Sequence, residues 1–88
     1  MHPLKNILNR IFWDERERAD DYTLTFIHRG AAGDARTMPL TQVRRVANSW
    51  FTYLDSRGNE TTIPFHRVTM VKNLRSGRVL WQKKGISA

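Results

Sequence analysis

The segment YTLTFIHR, residues 22–29, decides the fold, because its side chains alternate in character along its length. The alternation places four residues on one face of an extended chain: Tyr22, Leu24, Phe26 and His28. Period-two alternation among aromatic and β-branched residues is typical of a strand with one face on the core. The segment therefore predicts a β-strand that ends in a His–Arg pair, His28–Arg29.

The residues before this strand predict an amphipathic helix. Five apolar residues recur there at the spacing of one helical face: Leu4, Ile7, Leu8, Ile11 and Phe12. Pro3 suits the first turn of a helix, because the N–H that proline lacks has no intrahelical partner at that position. We expect this helix to lie across a sheet.

The residues after the strand predict a loop, an irregular connection and two hairpins. GAAGDA (residues 30–35) is a loop sequence, and TMPLTQVRRV (residues 37–46) predicts a connection with a short helical turn after Pro39. The alternating stretches SWFTYLD and ETTIPF flank a turn and predict a hairpin between residues 49 and 65. HRVTMVK and RVLWQKK predict a second hairpin, around a turn in which Gly77 is available for a positive φ.

This order favours the α+β class, with the N-terminal helix packed on a mostly antiparallel sheet of about five strands. Partial closure of this sheet into a barrel is also compatible with the order. At 88 residues the chain has room for one hydrophobic core, so we expect a single domain over residues 1–88.

The absence of cysteine excludes disulfide frameworks and thiol catalysis. The first residues lack a long apolar stretch and a cleavage site, which favours a cytoplasmic protein without membrane contact.

Positive charge is concentrated in the second part of the chain. The formal net charge is +7, and residues 1–34 contain five Lys or Arg against six Asp or Glu, whereas residues 35–88 contain ten against two. A field of this sign attracts polyanions, and nucleic acid is the first candidate. The alternative is that the charge serves solubility alone.

Two His–Arg pairs stand at strand boundaries and form a predicted phosphate site. The first pair opens into a glycine-containing loop, and the second follows Pro64, which cannot donate a ladder hydrogen bond and marks an edge, a bulge or a bend. Imidazole groups donate hydrogen bonds to phosphates, and guanidinium forks match phosphate oxygens. The predicted phosphate-binding residues are His28, Arg29, Gly30, His66 and Arg67.

Each member of the pairs also has a structural interpretation. His28 continues the buried face of its strand and His66 the face of Val68, so both suit partly buried, hydrogen-bonded histidines. A surface salt bridge would explain either arginine separately. The duplication of the pair favours a site, on the condition that the two pairs converge in space.

Aromatic residues indicate a second kind of RNA contact, although most of them belong in the core of so small a domain. Bases of single-stranded RNA stack on exposed rings, while arginines follow the phosphate backbone. The candidate rings are Trp13, Trp50, Trp81, Phe51 and Tyr53, and the candidate arginines are Arg44, Arg45, Arg67, Arg75 and Arg78. We expect only one or two of the rings to be exposed.

No metal or cofactor site is predicted. The histidines at positions 2, 28 and 66 lack helical i, i+4 spacing and an accompanying carboxylate. Sequences typical of phosphate-cradling P-loops, dinucleotide-binding glycines and catalytic serine elbows are missing.

Five motifs together resemble an archaeal family known as the RNA cyclic-group end-recognition domain. They are HPLKNILNRIFWD (2–14), HRGAAGD (28–34), SWF (49–51), IPFHRV (63–68) and GRVLW (77–81), and they cover nearly the whole chain. The resemblance implies recognition of RNA ends, particularly those with a 2′,3′-cyclic phosphate, alongside enzymes that make, repair or open such ends. It also implies three further RNA-binding candidates, Asn9, Arg10 and Trp81.

Three functions remain open on the sequence. The first is a binding module in which the two His–Arg pairs hold a terminal phosphate of RNA. The second is an RNA-processing phosphodiesterase in which His28 and His66 serve as general acid and base, and the third is a basic protein-interaction module. The binding module is favoured over an enzyme, because neither pair has an evident carboxylate neighbour to fix the histidine tautomer. We expect RNA as the partner, together with an RNA-processing or RNA-repair enzyme.

Overall fold

The computed structural model describes residues 3–28 and 34–83. The helix and strands in these ranges are α1 (Pro3–Trp13), β1 (Tyr22–Ile27), β2 (Ala35–Pro39), β3 (Val43–Val46), β4 (Trp50–Leu54), β5 (Glu60–Pro64), β6 (Val68–Asn73) and β7 (Val79–Gln82). Single turns of 3-10 helix occupy Ala19–Asp21, Leu40–Gln42 and Phe65–Arg67. The described strands form two antiparallel sheets, ordered β2-β1-β6-β7 and β3-β4-β5. The predicted α+β fold is confirmed.

Helix α1 forms where the helical spacing of apolar residues predicted it. Leu4, Leu8 and Ile11 are buried in the core, because steps of three and four residues place them on one face. The ammonium of Lys5 donates a hydrogen bond to the side-chain oxygen of Asn48, which ties the helix to the turn between β3 and β4. Among the helices of the described residues, none is long and apolar enough to cross a membrane.

Strand β1 lies inside the first sheet, between β2 and β6. Tyr22, Leu24 and Phe26 are buried and alternate with more exposed residues, as the sequence predicted. The ring of Phe26 lies 6.5 Å from the ring of Phe51 and 5.7 Å from that of Tyr53, both measured between ring centroids. Because Phe51 and Tyr53 belong to β4, these contacts join the two sheets and place the core between them.

Both predicted hairpins are confirmed. Strand β4 pairs with β5, with Trp50 opposite Pro64, and β6 pairs with β7, with Val71 opposite Trp81. Gly77 in the turn between β6 and β7 has a φ of 74°, a conformation that glycine adopts at no steric cost. Pro64 ends β5 on the edge of its sheet, where a missing N–H donor is tolerated.

Two strands, β2 and β3, occupy the connection that was predicted to be irregular. Within the described residues each is an edge strand with one neighbour, and most of its side chains are at least partly exposed on both faces. Such a strand carries no apolar alternation, so its sequence gives little strand signal. The described ranges therefore hold four strands in one sheet and three in another, where about five in one sheet were expected, and the two sheets do not close into a barrel.

Two corners of similar backbone carry the chain between the sheets. The first corner, residues 39–43 (PLTQV), joins β2 to β3, and the second corner, residues 64–68 (PFHRV), joins β5 to β6. Each begins with a proline, at φ −70° and ψ 147° in the first and at φ −65° and ψ 145° in the second, followed by one turn of 3-10 helix. The residue after the proline, Leu40 or Phe65, is buried in the core.

Candidate nucleic-acid interface

The strand register brings the two predicted histidines to the same end of the first sheet. Phe26 of β1 lies opposite Val68 of β6, and the two strands are antiparallel. His28 follows Phe26 by two residues, and His66 precedes Val68 by two. The chain therefore leaves β1 through His28 beside the place where it enters β6 through His66 and Arg67. This part of the molecule, defined by residues 28, 66 and 67, is called the histidine end.

The second corner exposes His66 and Arg67 because of its helical geometry. In a 3-10 helix the side chains at positions i and i+3 eclipse each other. Phe65 and Val68 have this spacing and are both buried, so the two residues between them face outward and are exposed. The N–H of Phe65 donates to the carbonyl oxygen of Ser49 at 2.9 Å, which anchors the corner to the start of β4. An imidazole and a guanidinium are thus held at the surface on a fixed turn.

His28 is held by a ring contact and by its backbone. Its ring meets the ring of Phe26 at 90°, with 6.0 Å between centroids. Its N–H donates to the carbonyl oxygen of Asp34 at 2.8 Å, which ties the end of β1 to the residue before β2. The predicted residues Arg29 and Gly30 lie outside the described residues. His28 itself is half-buried, so its imidazole is positioned without being sealed from solvent.

Lys83 and Arg36, which were not among the predicted phosphate-binding residues, add two cations near this end. The ammonium of Lys83, just after β7, donates to the carbonyl oxygen of His66 at 2.6 Å. Arg36 lies on β2 opposite Phe26, with its Cζ 5.6 Å from the centroid of the Tyr53 ring. Lys83 lies near the end of a predicted strand, a position that could have marked it as a candidate phosphate-binding residue. Arg36 lies in a strand that was not predicted from the sequence.

The cations of the histidine end are not neutralised by ion pairs among the described residues. The ion pairs in those ranges are Arg16–Asp14, Arg18–Asp20 and Arg45–Glu60. Uncompensated positive charge beside fixed hydrogen-bond donors is suited to a phosphate group, which accepts charge-assisted hydrogen bonds. The histidine end therefore has both the charge and the donors that an anionic ligand requires.

The side chains of this end have the chemistry that suits an anion. Two imidazoles and one guanidinium supply N–H donors, and the ammonium of Lys83 adds charge. Within residues 3–28 and 34–83, no carboxylate hydrogen-bonds to the imidazole of His28 or His66. In the same ranges no three His, Cys, Asp or Glu side chains are gathered where they could hold a metal ion.

Two of the weaker candidates, Trp81 and Asn9, lie away from the histidine end. Trp81 is half-buried on β7, an edge strand of the first sheet, where it lies opposite Val71 and packs against the core. Asn9 lines a separate groove beside Phe12 and Trp13 at the end of α1. The strand register therefore places residues 28, 66 and 67 at one end of the first sheet, whereas Trp81 and Asn9 lie elsewhere.

The third weaker candidate, Arg10, lines a cavity of about 370 Å³ at the opposite end of the first sheet. Tyr22 and Asn73, which pair where β1 begins and β6 ends, line the same cavity. The hydroxyl of Tyr22 donates to the carboxylate of Glu17 in the cavity wall, and burial together with this hydrogen bond raises the pKa of Tyr22. Arg10 and Arg78 line the cavity together with Glu17, so the negative charge of Glu17 is offset there by two guanidinium groups.

Comparison with known proteins identifies relatives over almost the whole chain. A UPF0248 protein of Methanococcus maripaludis is 35% identical over 81 residues, which cover 92% of this chain and 99% of that protein. The UPF0248 protein MJ1316 of Methanocaldococcus jannaschii is 35% identical over 81 residues, covering 92% and 94%. A UPF0248 protein of Saccharolobus solfataricus is 29% identical over 80 residues, covering 91% and 95%. No solved structure matches the chain.

The family model described as the MJ1316 RNA cyclic group end recognition domain matches residues 1–83. This span includes every motif on which the resemblance was based, and the resemblance is confirmed. The chain belongs to the MJ1316 RNA cyclic group end recognition domain family.

Proposed function

We propose that this protein binds RNA ends that carry a phosphate, with a 2′,3′-cyclic phosphate as the preferred end, and that His28, His66 and Arg67 hold the phosphate. The observation that carries the proposal is the register of β1 and β6, which directs both histidines to one end of a sheet. The family description, which names recognition of an RNA cyclic group end, supports the same ligand class.

Each group has a distinct role in the proposed complex. The guanidinium of Arg67 and the imidazole of His66 donate from the second corner to the non-bridging phosphate oxygens. His28 donates from the end of β1, and Lys83 contributes positive charge beside the His66 carbonyl. The 2′-oxygen of the cyclic group distinguishes RNA from DNA, because DNA lacks it. Arg29 stays a predicted contributor through its position next to His28.

Catalysis is the competing function, since two histidines at one site also suit a general acid and a general base. An acid–base histidine needs a partner that fixes its tautomer, commonly a carboxylate. The described residues offer no such hydrogen bond to His28 or His66. Binding without turnover therefore has the stronger support.

The test is binding to short RNAs of one sequence that end in a 2′,3′-cyclic phosphate, a 3′-phosphate or a 3′-hydroxyl. We expect the cyclic end to bind more tightly than the hydroxyl end by roughly 10-fold or more, because each charge-assisted hydrogen bond contributes about 1.5–3 kcal/mol. His66→Ala is expected to remove most of this preference. Equal affinity of the wild type for all three ends would contradict the proposal.

Two control variants and a product assay complete the test. Thr41→Ala changes the matching exposed position of the first corner and should leave every affinity unchanged. Arg75→Ala removes an exposed charge in the turn between β6 and β7, and should lower affinity for all ends equally together with the salt dependence. After prolonged incubation the cyclic end should be recovered intact, and an opened phosphate product would assign catalysis instead.

A further inference from the structure

The end of helix α1 exposes aromatic surface that the fold does not use. Phe12 is 39% exposed and Trp13 is 84% exposed, whereas the apolar residues of α1 that face the core are fully or nearly fully buried. Trp13 follows Ile11 by two residues, a step of more than half a helical turn, so its ring leaves the buried face. Neither ring belongs to the core, so both are available to contact a ligand.

These rings border a groove of about 370 Å³ between α1 and β3. The groove is lined by Asn9, Phe12, Trp13, Val43, Arg44 and Val46. Its volume is near the lower limit of small-ligand sites, which occupy about 300–1,000 Å³. The groove therefore suits a single flat group with its attached sugar.

The polar residues of the groove favour a nucleotide over an apolar ligand. Arg44 is exposed and has no ion-pair partner among the described residues, while its neighbour Arg45 lies 3.6 Å from the carboxylate of Glu60. Arg44 is thus free to bind a phosphate of an RNA backbone. The amide of Asn9 can both donate to and accept from the edge of a base. An aromatic face beside a cation is the usual surface on which proteins stack unpaired bases.

We propose that this groove binds an unpaired base of the same RNA strand whose end occupies the histidine end, with the base stacked on Trp13 and its phosphate on Arg44. The inference rests on the proposed function in taking RNA as the ligand. The molecule measures 36 × 31 × 27 Å, so one strand of several nucleotides can reach both places. The end provides specificity for the phosphate, and the groove provides affinity that depends on strand length and tolerates any sequence.

A protein partner is the less favoured occupant. A stable protein interface buries at least about 1,000 Å² in total, and the large exposed apolar side chains that line this groove are only Phe12 and Trp13 among the described residues. The net charge of +7 also favours a polyanion. RNA is therefore the occupant to test.

The experiment compares a strand of about 12 nucleotides, within the 4–16 that a small single-strand-binding fold covers, with a dinucleotide that has the same cyclic-phosphate end. Trp13→Ala should weaken binding of the longer RNA by roughly 5- to 100-fold, the contribution of one stacked base, and leave dinucleotide binding unchanged. Trp13→Phe should restore most of the loss, because a smaller ring still stacks. Trp13 is exposed, so both variants are expected to fold, which circular dichroism and thermal unfolding would verify.

The matched control is Leu74→Ala, which removes an exposed apolar side chain from the turn between β6 and β7 and should change neither affinity. Unchanged affinity of Trp13→Ala for the longer RNA would overturn the groove proposal while leaving end recognition intact. A longer RNA with a hydroxyl end separates the two ideas further. If it binds as tightly as the cyclic-phosphate RNA and is still weakened by Trp13→Ala, the groove proposal stands and the proposed end recognition fails.

Discussion

The two corners share a backbone but present different side chains to solvent. Both consist of a proline, a buried apolar residue, two outward residues and a valine, with nearly equal proline and valine dihedral angles. In the first corner the exposed Thr41 and the half-buried Gln42 lie between the buried Leu40 and the partly buried Val43. In the second corner His66 and Arg67 occupy these two positions, and both are exposed. Since the first corner adopts this backbone with threonine and glutamine at its two middle positions, the backbone does not require a histidine and an arginine there.

This difference separates what the fold requires from what the surface is used for. The proline sets φ at the start of the turn, and the buried Leu40 or Phe65 anchors it, so these positions explain the shape of the corner. Nothing in the shape explains a histidine followed by an arginine. Their presence in the corner that adjoins His28, and their absence from the other, is the strongest structural argument for a ligand at the histidine end.

The largest effect on stability is expected at the buried apolar residue that follows the proline in both corners. Leu40→Ala should lower the free energy of unfolding by about 2–5 kcal/mol and Phe65→Ala by about 3–5 kcal/mol, because both side chains are fully buried. Urea denaturation followed by circular dichroism would measure both. A loss below about 1 kcal/mol at either position would show that this corner is not anchored by its apolar residue.

The next effect concerns binding and should occur in one corner alone. The double variant His66→Thr with Arg67→Gln gives the second corner the outward residues of the first. Its stability should stay within about 0.5 kcal/mol of the wild type, since both side chains are exposed and the His66 carbonyl that accepts from Lys83 is retained. Affinity for a cyclic-phosphate RNA should fall by roughly 10-fold or more, to that of a hydroxyl end. A preserved preference for the cyclic end would remove these residues from the site.

A smaller effect is expected at the prolines. Pro39→Ala and Pro64→Ala should each lower the free energy of unfolding by about 0.4–1 kcal/mol, because alanine gives the unfolded chain more freedom and the native φ already suits proline. Thermal unfolding would measure the change. Similar losses would support the equivalence of the corners, whereas a loss at one position alone would mean that only that corner depends on its proline.

The smallest effect is expected from the reverse exchange. Thr41→His with Gln42→Arg gives the first corner the outward residues of the second, but without His28 nearby. We expect a gain of a few-fold at most in general RNA affinity at low salt, from the added charge, and no added preference for the cyclic end. Titration at two salt concentrations would measure this. A new preference for the cyclic end would mean that a His–Arg pair on this backbone suffices without His28.

The elements that bury an apolar face could be predicted from the sequence. Helix α1, strand β1 and both hairpins were predicted because burial imposes a period of 3.6 or 2 on their side chains. Strands β2 and β3 were missed because edge strands with exposed residues on both faces carry no such period. With those strands missing, the division into two sheets could not be predicted, since it depends on pairings between distant segments.

The candidate site, like the fold, could be predicted from the sequence only in part. His28, His66 and Arg67 could be selected as residues beside predicted strand ends, but their placement at one end of the sheet depends on the pairing of β1 with β6, which connects residues 42 to 51 positions apart. Arg36 escaped selection because its strand was missed. Helical spacing places Trp13 outside the buried face of α1, but Phe12 lies at the edge of that face, where spacing alone does not separate an exposed ring from a core residue.

The most direct test follows the imidazole signals of His28 and His66 by NMR while a cyclic-phosphate RNA is added, with a hydroxyl-ended RNA of the same sequence as the reference. The account predicts that both imidazoles shift together, with one dissociation constant, and that the shifts are far smaller with the hydroxyl end. A response at only one of the two histidines, or at neither while the RNA binds elsewhere, would contradict a shared phosphate site.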